Sequence, residues 1–186
     1  MNAPDSIPES ALNKARCIAM IPGDKKFAFV FGGDYGRGLA ICKTATGWSA
    51  PLFLAVEGGS VGYQIGGSST DLVLLFMNDH ALHSLLSDKF KLGGDVTVAA
   101  GPVGRDASAG TDLKLTAEVL SYSRTKGLFA GASLDGTVVQ ADHSGDKAMY
   151  GEATRHDILD GSVRVPDDAH VLVDELQRYN RRAEGQ

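Results

Sequence analysis

The residues that could do chemistry are few, and each is weighed against an ordinary structural role. Gly58-Gly59-Ser60-Val61-Gly62 fits G-x-S-x-G, the strand-to-helix turn that exposes a serine nucleophile, with Asp71 and several histidines downstream. That elbow needs a helix directly after the serine. Tyr63-Gln64-Ile65-Gly66-Gly67 is a poor helix start, so a glycine-rich hairpin turn is the expectation. His80 and His83, three apart beside Asp79, have a chelating spacing but no evident third ligand, and read as exposed helix positions. His143, His156 and His170 stand isolated among polar neighbours. The glycine clusters Gly32 to Gly38 and Gly58 to Gly67 lack the G-x-x-x-x-G-K-[ST] order of a phosphate loop. Catalysis, metal and cofactor are therefore not expected.

Cations are the remaining candidates. Lys25, Lys26, Arg37 and Lys43 lie around the first hairpins, Arg105 in a Gly-Pro turn, and Arg124 and Lys126 in another. Several turn-borne cations could meet one anionic headgroup, each contributing about 1 kcal/mol near an anionic membrane. A solvated rim of charge is the competing reading. The whole chain, with 18 basic and 23 acidic residues, carries a formal charge of −5, which leaves no basic surplus for a nucleic-acid backbone.

The elements that must position these residues follow from pattern. At 186 residues the chain is one domain, residues 1–186, with no linker-like stretch. The longest apolar run, Leu72 to Met77, is far too short to span a membrane as a helix. Of 23 glycines, most lie between short apolar runs without a fixed period, the mark of turns, bulges and close backbone approach. Strands are expected at Cys17 to Ile21, Phe27 to Phe31, Gly38 to Thr44, Ala50 to Val56, Val61 to Ile65 and Asp71 to Met77. Further strands are expected at Asp95 to Ala100, Asp112 to Ser123, Thr125 to Gly131 and Ala132 to Ala141. Ser6-Ile7-Pro8-Glu9 suggests a capping box opening a short helix, and Asn78 or Asp79 a second cap. From Asp142 the pattern is helical, ending in a helix opened by Pro166-Asp167-Asp168 with Ala169, Leu172, Leu176 and Tyr179 on one stripe. The fold class is α+β, a glycine-rich, mostly antiparallel, curved or barrel-like sheet with a few flanking helices. Cys17 and Cys42 are the only thiols; a disulfide and a pair of buried free thiols are both open.

The ordered stretches KARCIAMIPG, FVFGGDYGRGLA, GWSAP, EGGSVGYQIGG, TDLVLLFMN, LGGD, AAGPVGR and SYSRTKGLFAGASLDG strongly resemble the SYLF domain family. The likeness runs from about residue 7 to 151, leaving 152–186 as a C-terminal helical extension. It implies a non-enzymatic lipid-binding domain for anionic phospholipid or phosphoinositide headgroups at a bacterial envelope surface, periplasmic or envelope-bound, with a cytoplasmic alternative. The competing implication is a protein-interaction or structural module related to the actin-binding role of eukaryotic members. Under the resemblance GGSVGYQIGG is a structural signature, so Ser60 loses its catalytic meaning. Arg105, Arg124 and Lys126 gain weight through their motifs, and with Lys25 and Lys26 form the expected lipid site. Leu128 and Phe129 could enter an interface, although core packing is the expectation for both. Family members usually carry a further amphipathic helix upstream, of which Met1-Asn2-Ala3-Pro4 resembles the tail, so a signal and anchor are expected to precede this sequence. No Src-homology or FYVE module accompanies the domain here.

Overall fold

The computed structural model describes residues 6–23, 35–57, 70–104 and 116–184. In chain order these form α1 (Glu9–Lys14), β1 (Cys17–Ile21), β2 (Tyr35–Thr44), β3 (Gly47–Trp48), β4 (Leu52–Glu57) and β5 (Thr70–Phe76). Then come α2 (Asp79–Ser84), β6 (Lys89–Lys91), β7 (Val98–Ala100), β8 (Val119–Thr125), β9 (Leu128–Gly131) and β10 (Val138–Ala141). The chain closes with α3 (His143–Tyr150), α4 (Arg155–Leu159), a 3-10 turn (Asp167–Ala169) and α5 (His170–Glu184). The expected strands at Phe27 to Phe31 and Val61 to Ile65 fall outside the described residues, as does Ser60. Among the described residues, no helix is long and apolar enough to cross a membrane.

One sheet runs in the order β6-β10-β4-β2-β1-β5-β8-β7, with β3 on β2 and β9 on β8. The two ends of this path, β6 and β7, are consecutive in sequence, separated only by Leu92 to Thr97. A tether that short draws the edges towards each other, and the sheet curls into a half-barrel. Alternation then sorts the side chains. Cys17, Ala19, Ile21, Ala40, Cys42, Leu54, Leu72, Leu74 and Phe76 point inward and have no exposed surface. The outward set Ile18, Ile41, Leu75 and Leu120 is buried with Ala11, Ala15, Trp48 and Val173, by which α1 and α5 cover part of the convex side.

Cys17 stands directly opposite Cys42 in the β1–β2 register, and the two form a disulfide. The neighbouring Lys43 N–H donates to the Arg16 carbonyl. The cysteines therefore occupy the closer, non-hydrogen-bonded register, with their Cα atoms 4.0 Å apart. Both thiols being buried did not distinguish the alternatives; the register does.

Two expectations need correction. Pro8, not Ser6, is the N-cap of α1, and Glu9 is the first helical residue, so the Ser6 to Glu9 stretch is not the expected capping box. The residue before a proline is pushed out of the helical region, so Ile7 cannot open a helix. The sheet is mostly antiparallel, as expected, with one parallel pair, β7–β8. The other strand pairs are antiparallel. Leu128, expected in the core, is 60% exposed, whereas Phe129 does pack against the convex-side cluster.

Candidate functional site

β8 and β9 meet in a two-residue turn, Lys126-Gly127, with Thr125 paired to Leu128. Both central residues have positive φ, 53° and 84°, as the I′ hairpin class requires. Lys126 is the only non-glycine among the described residues with positive φ. The turn lifts its side chain to an exposed tip, with exposed Leu128 next to it.

Arg124 sits two residues before the tip, in register with Asp71 on β5 and Phe129 on β9. Its Nη1 is 3.7 Å from Asp71 Oδ2, and its guanidinium carbon is 5.8 Å from the Phe129 ring centroid. The cation thus rests on an aromatic face while about half its side chain remains exposed. The other oxygen of Asp71 accepts the Gly23 backbone N–H at 2.9 Å. The Thr70 and Thr125 hydroxyls are hydrogen-bonded at 2.9 Å, tying the hairpin base to β5. The structure therefore brings Arg124 and Lys126 to one end of the sheet. Lys25, Lys26 and Arg105 lie outside the described residues. Gly23, two positions ahead of Lys25, is held by the carboxylate that also pairs with Arg124.

His80, His143, His156 and Asp71, also weighed for chemistry, have structural partners. His80 Nδ1 is 2.6 Å from Glu118, whose carboxylate also accepts the Thr97 N–H at 2.8 Å. The Thr97 bond holds Glu118 below the usual carboxylate range against the opposing effect of burial, with smaller contributions from His80 and Asn78. His143 pairs with Asp88 at 2.9 Å. His156, Asp157 and Asp160 place ligand-type atoms within 4.8 Å of one another. Two of those carboxylates already serve the backbone: Asp157 accepts the Thr154 hydroxyl and N–H, and Asp160 the Ser162 N–H. Asp71, the notional third member of a Ser60 triad, is committed to Arg124 and Gly23.

Two polar clusters escaped sequence reading. Asp146 and Arg155 form a 2.6 Å ion pair with side chains only 7% and 10% exposed. Asp146 accepts the Phe53 N–H, and Arg155 donates to the Phe53 and Leu85 carbonyls. β10 pairs with β4 only as far as Leu54, so the pair satisfies strand backbone just past the end of that ladder. Burial pushes the Asp146 carboxyl up. The second cluster joins Arg37 to Asp142 at 3.0 Å, with Asp142 also accepting the Ser144 hydroxyl and the Gly145 N–H. Burial opposes ionisation of Asp142, but these three donors outweigh it and hold the group below the usual range. The Thr154-x-x-Asp157 box was a readable signal for α4. Arg37 was legible only as one of the cations around the first hairpins, and nothing local marks Arg155 or the pairing of Arg37 with Asp142.

The described residues thus form an α+β half-barrel with a basic hairpin at one end of its sheet. Residues 57–179 match the family described as "Ysc84: Las17-binding protein actin regulator". The chain is 36% identical to the SH3 domain-containing protein PJ696.02 of Schizosaccharomyces pombe, across all of this chain and 45% of that protein. It is 35% identical to Protein YSC84 of Saccharomyces cerevisiae, across 90% of the chain and 36% of that protein. The human SH3 domain-containing YSC84-like protein 1 is 31% identical, across 100% of the chain and 55% of its own length. The chain belongs to the Ysc84 family, the SYLF-domain proteins its motifs resemble. It spans about a third to just over half the length of these relatives.

Proposed function

We propose that this domain is a non-catalytic module that docks on anionic lipid headgroups through the β8–β9 hairpin. Arg124 and Lys126 meet phosphate and Leu128 enters the interface, while Lys25, Lys26 and Arg105, which lie outside the described residues, remain the further cations the sequence proposes for the site. The observation that carries this reading is the hairpin tip itself. It pairs an exposed lysine with an exposed leucine, beside an arginine braced by Phe129 and Asp71. The Cys17–Cys42 bond supports an oxidising setting, such as a periplasm or cell envelope, for that surface. Co-sedimentation with anionic and zwitterionic vesicles at two salt concentrations tests it. Salt-sensitive binding to anionic vesicles alone is expected. Arg124→Ala with Lys126→Ala should weaken it by roughly 20–30-fold, at about 1 kcal/mol per cation. Unchanged binding in the double variant would remove the hairpin from the site.

The alternative is a protein partner. It is favoured by the family description and by the name of the similar LAS seventeen-binding protein 3 of Saccharomyces cerevisiae, 35% identical over 95% of the chain. It predicts no vesicle binding and co-sedimentation with actin filaments instead.

A further inference from the structure

A cleft of about 520 Å³ opens on the convex face, where β1, β2 and β4 run beside α3 and the start of α5. Met20, Pro22, Leu39, Phe53 and Leu172 line it, and Arg37 with Asp142 supplies its charged groups. The volume falls within the range of small-molecule sites, roughly 300–1,000 Å³. Its floor is set by register: Phe53 is opposite Leu39, which is opposite Met20, so three strands contribute one apolar row. All three side chains are only half-buried, unlike their concave-side neighbours.

The polar end is asymmetric. The Asp142 side chain is 11% exposed and accepts three hydrogen-bond donors, whereas Arg37 is 48% exposed. A guanidinium has five N–H donors, and among the described residues only Asp142 engages this one. The carboxylate is engaged within the protein, whereas the remaining donors of the arginine are open to solvent and to a ligand. A ligand that completes this site is apolar along its length and anionic at one end, with a planar or tetrahedral oxyanion for the arginine fork. At about 30 Å³ for each water-sized group, this volume matches roughly 12–17 chain carbons, the length of one common alkyl chain.

We propose that the cleft binds a single-chain anionic amphiphile, with its chain along Met20, Leu39 and Phe53 and its carboxylate or phosphate on Arg37. The site is separate from the β8–β9 hairpin and does not depend on it. Titration calorimetry of the full chain uses laurate, lauroyl lysophosphatidate and lauryl alcohol below their aggregation concentrations. One-to-one binding of at least one of the two anions is expected, and which binds identifies the headgroup. Arg37→Gln should weaken the anion about tenfold or more, as expected for charge-assisted hydrogen bonds, and leave the alcohol unchanged. Leu39→Trp should abolish binding of all three, while Arg124→Ala with Lys126→Ala should change none. Because Leu39→Trp could simply unfold, a diazirine-bearing laurate photolabels the unsubstituted protein, and its adducts should map to peptides holding Met20, Leu39 or Leu172. Failure of both anions to bind the unsubstituted chain would overturn the proposal. So would adducts confined elsewhere, or full affinity for the anion in Arg37→Gln. Loss of vesicle binding in the hairpin variant with laurate binding intact would separate this site from the headgroup reading.

Discussion

The two faces of the sheet are built from the same strands and treated differently. On the concave side Leu54, Leu72, Leu74 and Phe76 are fully buried, packed with the Cys17–Cys42 bond. On the convex side Ile18, Ile41, Leu75 and Leu120 are buried, but Met20, Leu39, Phe53 and Val73, on the same face, are half-exposed. The difference lies in what covers each face. The concave side is closed by α2 and α4, through Ala81, Leu85, Ile158 and Leu159, whereas on the convex side α1 and α5 reach only part of the sheet. Stability is thus concentrated inside, and the surface left for recognition is the uncovered part of the outside.

The largest test of that contrast removes the inner cross-link. Cys17 and Cys42 close a loop with a sequence separation of 25. Loop-closure entropy assigns such a bond about 3–4 kcal/mol. Cys17→Ala with Cys42→Ala should therefore lower the urea unfolding midpoint by a matching amount, and reduction of the unsubstituted protein should do the same. A change near zero would mean that concave packing alone holds β1 to β2.

Next in size is a matched pair of truncations. Leu74→Ala, in the concave core, should cost about 3 kcal/mol through lost transfer energy and the cavity left behind. Leu39→Ala, half-buried on the convex side, should cost about 1 kcal/mol, since only part of its surface leaves water on folding. Equal losses in urea unfolding would show that the outer row is as well packed as the inner one and erase the contrast.

Acid provides a smaller effect that reaches only one side. The concave residues named above do not titrate, whereas Asp142 beside the convex cleft has its carboxyl held below the usual range. A depressed carboxylate contributes stability above its unfolded value, about 3.9, and loses it as pH falls through the lower folded value. Glu118 adds a contribution of the same sign below its ordinary value of about 4.3. Unfolding free energy should decline as pH drops from about 4, with Asp146, whose carboxyl burial pushes up, acting in the opposite direction. Asp142→Asn should flatten that decline, whereas Leu74→Ala should shift the curve down without changing its shape.

Much of this architecture was legible in pattern. Alternation marked β1, β5 and most of β2 and β4, Asn78 capped α2 through the Ala81 N–H, and Pro166-Asp167-Asp168 opened the last helix. These signals are local, each read within a few residues. What escaped is non-local. The disulfide depended on Cys17 meeting Cys42 in register, and the cleft on Met20, Leu39 and Phe53 aligning across three strands. The Asp146–Arg155 pair looks like surface charge in sequence and is buried because β10 stops short of Phe53. Arg124 and Lys126 were legible as candidates. Their geometry was not, because it rests on Phe129 and Asp71 from neighbouring strands.

The smallest expected stability change addresses whether the hairpin tip is shaped for folding or for binding. Lys126 holds a φ of 53°, where a residue with a Cβ is disfavoured and asparagine is among the better tolerated. An I′ turn built for stability favours Asn-Gly, and here Lys-Gly occupies the place. Lys126→Asn should therefore raise stability by about 0.5–1 kcal/mol by relieving the backbone. The same change removes a positive charge from the tip, so anionic-vesicle binding should fall by roughly fivefold. Opposite signs in the two measurements mean that lysine is kept at the tip for contact at a small cost in stability. A stability gain with unchanged binding would return Lys126 to the solvated rim and leave Arg124 as the hairpin's contribution.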